Sequence, residues 1–177
     1  NSNNRLVGVT VNGDLSLSAA NAYLRIAGGM TLNGTIHLSG SGAGLGVEGS
    51  QTWGGSGTVA FEGTTGTTRF LEAFGVTTLT LGSGFTVSGG LGRTQGARIS
   101  GVAYTLVNQG TISANVSGQT LTVDNNSFTN QGTILALNGA ALSVSGIFVQ
   151  TAGLTLLQGG NLTVSLPFRL QGGTLAG

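Results

Sequence analysis

The sequence predicts an all-β fold: one domain over residues 1–177, wound as a parallel β-helix (a β-solenoid) of about eight coils, each of roughly 21 residues in three short strands. Three observations predict it. The first is a phrase that repeats at a fixed step between Asn108 and Leu175. Gly110-Thr111-Ile112 returns as Gly132-Thr133-Ile134, weakly as Gly153-Leu154-Thr155, and again as Gly173-Thr174-Leu175. Leu121-Thr122-Val123 returns as Leu142-Ser143-Val144 and Leu162-Thr163-Val164, and Phe128 returns as Phe148 and Phe168. A near-constant step of about 21 residues marks a solenoid, in which each repeat buries its apolar face only against its neighbours. The second observation is alternation. Within each short stretch apolar residues alternate with Ser, Thr or Asn, as they do in strands with one face turned to a core. The third is glycine: 34 Gly stand beside a single proline, Pro167, with no Gly-X-Y period, which excludes collagen and supplies many tight turns.

Taken in order, Arg5–Val11 reads as a strand bearing Leu6, Val7, Val9 and Val11. Gly13-Asp14-Leu15-Ser16-Leu17 is matched by Gly34-Thr35-Ile36-His37-Leu38 at a step of 21, and by Gly57-Thr58-Val59-Ala60-Phe61 at a step of 23. Leu24-Arg25-Ile26 matches Leu45-Gly46-Val47, and Thr31-Leu32 matches Thr52-Trp53, each 21 apart. Each coil is thus a G-T-[IVL] strand, an L-x-V strand and a third strand with a large apolar residue. Thr77–Leu81 and Phe85–Val87 continue the grammar. However, the stretch from Gly57 to Gly110 is about half a coil longer than two coils need, so loop excursions are expected within 63–98, at Thr64–Phe74 or Gly89–Arg98. Arg69, Glu72, Arg93, Gln95 and Arg98 are read as solvated loop. From Asn108 onward the core ladder is Phe128, Phe148 and Phe168 beside Leu121, Leu142 and Leu162. Asn108-Gln109 and Asn130-Gln131 stack at corners as amide ladders, with Gln171 one to two coils on. A helical reading fails because Gly and β-branched residues are dense and the apolar spacing is two. An antiparallel sandwich also suits short strands, but it does not need repeats that resemble one another.

Composition narrows the function. Charged residues are 6% of the chain and apolar ones 39%, which is not the profile of a disordered segment. Net charge is +1, and the six cations are all Arg, scattered apart from Arg93 and Arg98; a phosphate-tracking partner needs a clustered basic face, so no nucleic acid is expected. No apolar run reaches membrane-spanning length. Without Cys there is no disulfide framework or thiolate chemistry. The carboxylates Asp14, Glu48, Glu62, Glu72 and Asp124 form no acid–base pair by spacing. His37 is the one histidine and reads as an exposed strand residue rather than a metal ligand. Gly42-Ala43-Gly44 and Gly90-Leu91-Gly92 lack the following helix of a phosphate cradle. We therefore expect no catalytic residue, no metal, no cofactor and no enzyme activity. Asn33, Asn115, Asn125 and Asn161 each begin an Asn-x-Ser/Thr triplet, a weak glycosylation signal. Thr35, Thr58, Thr111, Thr133 and Thr174 make a partial outward file, but the residue two places on varies too much for a regular Thr-x-Thr array of the ice-binding kind. A glycan platform would need an exposed aromatic; Trp53, Phe74 and Tyr104 are the candidates, with Trp53 read as core and Tyr23 as a cap on the same face.

The phrasing of Leu106–Val123, of Phe128–Ile134 and of Val47–Val59 resembles the β-strand-repeat segments of large bacterial cell-surface proteins, of the autotransporter-passenger and filamentous-haemagglutinin type. The resemblance implies a right-handed parallel β-helix, secreted to the bacterial cell surface and used for adhesion, coating or fibre building. It transfers no site residues, because such repeats hold no fixed site. Solenoids end in polar caps, whereas Gln171–Gly177 reads as the opening of a further coil. The expectation is a structural subunit of an extracellular filament or surface fibre, its partner a second copy of itself. Leu170, Thr174 and Leu175 of one copy would meet Leu6, Val7, Val9 and Val11 of the next. The alternatives are an excerpt of a longer adhesin, or a β-helix that binds or acts on surface glycans.

Overall fold

The computed structural model describes residues 4–63, 68–74, 76–91, 97–101 and 104–177, with 97–101 described as backbone alone. Among these the chain is all β: a parallel β-solenoid of about seven turns, roughly 21 residues apart. The first coil is formed by β1 (Arg5–Val11), which spans two faces, and β2 (Leu15–Leu17); β3 (Tyr23–Leu32) lies one coil on, paired in parallel with β1, and the later coils repeat the three faces. The GT face is an eight-stranded sheet from Leu15–Leu17 to Thr174–Ala176. The LV face and the Phe face are two arms of one sheet, joined where β3 runs through the corner between them.

The G-T phrase has a steric origin. At the corner before the later GT strands the backbones of successive coils stack so closely that a Cβ on Gly132 would collide with the carbonyl of Gly110, and one on Gly153 with that of Gly132. Only glycine fits at these two positions, whereas Phe85 holds the equivalent place before Thr86. The Thr that follows points outward, and the next residue enters the core. Leu15, Ile36, Val59, Val87, Ile112, Ile134, Thr155 and Leu175 pair in one continuous file through that core. On the Phe face, Phe128 stacks on Phe148 at 4.9 Å between centroids, and Phe148 meets Phe168 at 4.6 Å. Phe128 and Phe148 are fully buried, as are Leu121 and Leu142; Phe168 and Leu162, in the last coil, are partly buried. A fully buried side chain of this size contributes about 1.5–3 kcal/mol, so these ladders dominate the cohesion of the rod.

The structure departs from the sequence reading in four places. The excess between Gly57 and Gly110 is not one excursion. Thr58, Thr86 and Thr111 pair in succession, so the extra length is divided over two consecutive long coils. Within it Phe70–Phe74 is a strand of the LV face, paired with Gly44–Glu48 on one side and Ala97–Gly101 on the other. Residues 64–67 and 92–96, where the rest of the expected excursions fall, lie outside the described residues. Second, Met30 rather than Leu32 pairs with Trp53. Gly28 and Gly29, both at positive φ, absorb extra residues at the β3 corner and lengthen the step there by two. Third, β1 does not present Val7, Val9 and Val11 alike. A register break at Gly8 turns Leu6, Val9 and Val11 onto the core and leaves Val7 56% exposed. Fourth, the two halves of the LV face are offset by two residues: Leu45 and Leu71 lie in file with Ile99 and then Val123, while Leu121 pairs with Ala97. A two-residue slip keeps every inward side chain inward, because the strand period is two.

Candidate functional site

Polar groups within the rod are arranged as ladders. Asn108 Nδ2 donates to Asn130 Oδ1 at 2.8 Å, and Asn130 Nδ2 reaches Gln150 Oε1 at 3.4 Å. All three residues are fully buried. Gln150 Nε2 then donates to the Thr174 carbonyl at 2.9 Å, and the buried Thr155 hydroxyl donates to Gln150 Oε1. One residue on, at the outer corner, Gln109 Nε2 donates to Gln131 Oε1 at 3.1 Å, and Gln171 occupies the same corner two coils later. A buried amide left unpaired is costly, so each ladder member requires the next one.

The next member of the inner file after Gln150 is Leu170, which is 50% exposed. Leu175, which follows Thr155 in the GT core file, is 45% exposed, and Thr174 beside it is exposed. The strands Asn161–Val164, Phe168–Leu170 and Thr174–Ala176 are edge strands, with ladder groups unpaired on their outer side. At the other end of the rod, an open groove of about 480 Å3 lies between Asn4 and the corner after β2, lined by Leu15, Leu17, Ala22, Tyr23 and Leu24. The residues expected to mediate self-assembly therefore fall at two ends about seven turns apart.

The outer LV face carries a cluster that sequence spacing does not assemble. Arg5 Nε donates to Glu48 Oε2 at 2.6 Å, and Arg25 pairs with the same carboxylate. The Arg5 hydrogen bond is the main cause holding the Glu48 carboxyl below the usual carboxylate range. The Arg25 guanidinium lies 5.4 Å from the Phe74 ring centroid, and Tyr23 meets that ring edge-on at 6.4 Å. Tyr23 donates to Glu72 Oε1 at 2.8 Å; burial first, and this bond second, push its phenol pKa up. Gly44 and Gly46 make room, since a Cβ on Gly46 would lie 2.6 Å from both Phe74 Cε2 and Tyr23 Oη. A signal for it is present in the sequence: Tyr23-x-Arg25, Gly44-x-Gly46 and Phe70-x-Glu72 stand at one register in successive coils.

These contacts correct several expectations. Arg69 is buried and donates to the Ser39 carbonyl, so it is not solvated loop; burial lowers its pKa. Glu72 sits in a strand, and Arg98 pairs through its backbone with Phe70 and Thr122, while Arg93 and Gln95 lie outside the described residues. Trp53 and Tyr104 are fully buried, and Trp53 donates to Gln51 Oε1 at 3.1 Å. Tyr23 is not on the Trp53 face but on the outer LV face, which leaves Phe74, 47% exposed, as the one surface aromatic among the three candidates. His37 Nδ1 lies 2.8 Å from Glu62 Oε1 in the next coil. Among the described residues no three of His, Cys, Asp and Glu converge on a point that could hold a metal ion, and no helix is long and apolar enough to cross a membrane. Comparison with family models, with curated proteins and with solved structures returned no match.

Proposed function

We propose that this chain is a structural subunit of an extracellular bacterial filament or surface fibre, in which rods stack end to end. The observation that carries the reading is the contrast within single core files: Gln150 and Thr155 are fully buried, while Leu170 and Leu175, one coil further along their files, are about half exposed. A β-coil of the same cross-section, laid on this face, would complete the ladders and pair the edge strands by main-chain hydrogen bonds. The groove beside Leu15, Leu17 and Leu24 at the opposite end offers such a coil. A contact between two different ends that does not close on itself yields an open filament. The resemblance of Leu106–Val123 to bacterial surface repeats supports an extracellular setting. It equally favours a second reading, in which the covering coil belongs to the same chain as part of a longer adhesin.

The test compares the 177-residue chain with the double variant Leu170→Asp/Leu175→Asp, both outside the fully buried core. Light scattering should show concentration-dependent growth of the unaltered chain and a monodisperse monomer for the variant. Monomers of both, with an apolar dye bound to the unaltered chain alone, would favour the longer-adhesin reading and defeat the filament.

A further inference from the structure

The two ends of the rod can be matched file by file, because strand pairing fixes which residues stand above one another. One inward file on the Phe face begins at Val9 and Met30, passes through the Asn108–Asn130–Gln150 ladder and ends at Leu170. The core file of the GT face begins at Leu15 and ends at Leu175. On the LV face the file of Leu24 ends at Val164. Leu6 pairs with Ile26, two places past Leu24, so its counterpart in the last coil lies two places past Val164, at Leu166. Leu166, Leu170 and Leu175 are 49%, 50% and 45% exposed. Their counterparts in the first coil, Leu6, Val9 and Leu15, are half-buried, packed against the core from one side.

We propose that a second copy of this chain continues the rod in phase, with its Leu6 on Leu166, its Val9 on Leu170 and its Leu15 on Leu175, so that every copy points the same way. The inference rests on the end-to-end stacking proposed above and fixes its register and polarity. Three observations carry it. First, inward and outward positions alternate along a strand, so a rival register must differ by two residues at least. Shifted two residues one way, the three leucines meet Gly8, Val11 and Leu17, and Leu166 is left over a glycine. Shifted two the other way, they meet Asn4, Val7 and Gly13, of which Val7 points outward. In phase, all three meet aliphatic side chains. Second, the corner lengths agree. β1 already lies on Ile26 and Met30, a step of four, and Leu166 to Leu170 is again a step of four. The register break at Gly8 that seats β1 on the first corner seats it equally on the second. Third, the amide ladder is closed within the chain: Gln150 Nε2 donates to the Thr174 carbonyl and its Oε1 accepts from the Thr155 hydroxyl. Leu170 therefore needs no amide above it, and a polar residue there would be buried without a partner. Val9 meets that requirement.

The chain has no Cys, so an introduced thiol can pair only with another introduced one. In phase, Thr10 of one copy lies beside Gln171 of the preceding copy, and both residues are exposed. Their Cα atoms would stand about 4.8 Å apart, inside the span of roughly 4.4–6.8 Å that a disulfide bridges. Arg169, two residues away, would stand about 8 Å off, outside it. The full chain carrying Thr10→Cys and Gln171→Cys is assembled and oxidised beside one carrying Thr10→Cys and Arg169→Cys. Circular dichroism checks folding, and light scattering follows growth. The first variant should give a ladder of covalent multimers on a non-reducing gel, and the second should lose it. Leu166→Asp should abolish growth, whereas Val7→Asp should leave it unchanged. With growth observed, the inference is overturned if the Arg169 variant cross-links as well as the Gln171 variant or if neither does. It is likewise overturned if Gln171→Cys alone yields covalent dimers, which would mean that like ends meet, or if Leu166→Asp grows normally. No growth of the unaltered chain would instead sink the end-to-end reading itself, and this register with it.

Discussion

The half of the rod after Asn108 and the half before it solve the same stacking problem in different ways. After Asn108 the coils advance by a nearly constant step, and like stands on like: Phe on Phe on Phe, Leu on Leu on Leu, Asn on Asn on Gln. Before it the steps are uneven, longest from Thr58 to Thr86, and large stands on small. Tyr23 and Phe70 lie on either side of Gly44, and Trp53 packs against Phe85 at 5.8 Å across the interior. Both fillings give a fully buried core. The lesson is that a solenoid needs constant cross-section and inward parity, not repeated residues.

The contrast can be broken by mutation, beginning with the largest effect. Phe148→Ala removes the middle ring of a buried ladder with a partner on each side, and should cost about 3–5 kcal/mol in urea denaturation. A much smaller loss would mean that the neighbouring coils collapse into the gap. Glycines come next, and they separate the halves. At Gly132 a Cβ meets the backbone of the preceding coil, whereas at Gly46 it meets the far ends of the Phe74 and Tyr23 side chains. Gly132→Ala should therefore destabilise by about 2 kcal/mol, and Gly46→Ala by less than about 1 kcal/mol, because side chains swing aside more easily than backbone. Gly46→Ala should also shift tyrosine fluorescence as the Tyr23–Glu72 bond loosens. Equal costs at the two sites would contradict this distinction.

The smallest effect is electrostatic. The folded-state pKa of Glu48 is depressed, chiefly by the hydrogen bond from Arg5. Its contribution is therefore present above the ordinary carboxylate range and is lost as pH falls through the depressed value. Stability of the unaltered chain should fall slightly more than that of Glu48→Gln between neutral pH and pH below that range. The gap should shrink in high salt, since the pair is surface-exposed. Parallel pH profiles would show that the cluster holds no net charge coupling.

The same contrast explains what is legible in the sequence. Like-on-like ladders are visible as spacing, so the solenoid class, the three strands per coil and the Phe128, Phe148 and Phe168 file can be read directly. Large-on-small packing leaves a fainter trace, because Tyr23, Gly44 and Phe70 share a register without sharing a residue type. That is why Arg69 reads as surface although it is buried, and why Phe70–Phe74 reads as loop although it is a strand. The offset between Leu45 and Leu121 is hidden for a related reason: both stand in an L-x-V phrase, and a two-residue slip preserves the pattern. The polar cluster around Glu48 needs Arg5, Arg25, Glu72 and Phe74 to be brought together from separate coils, which no local window displays.

The central claim is that the exposed coil around Leu170 and Leu175 seats against another copy of this rod. Electron microscopy of the purified 177-residue chain in negative stain tests it most directly. Unbranched filaments one rod wide, lengthening with protein concentration, are the predicted result. Dispersed short rods at every concentration would contradict it.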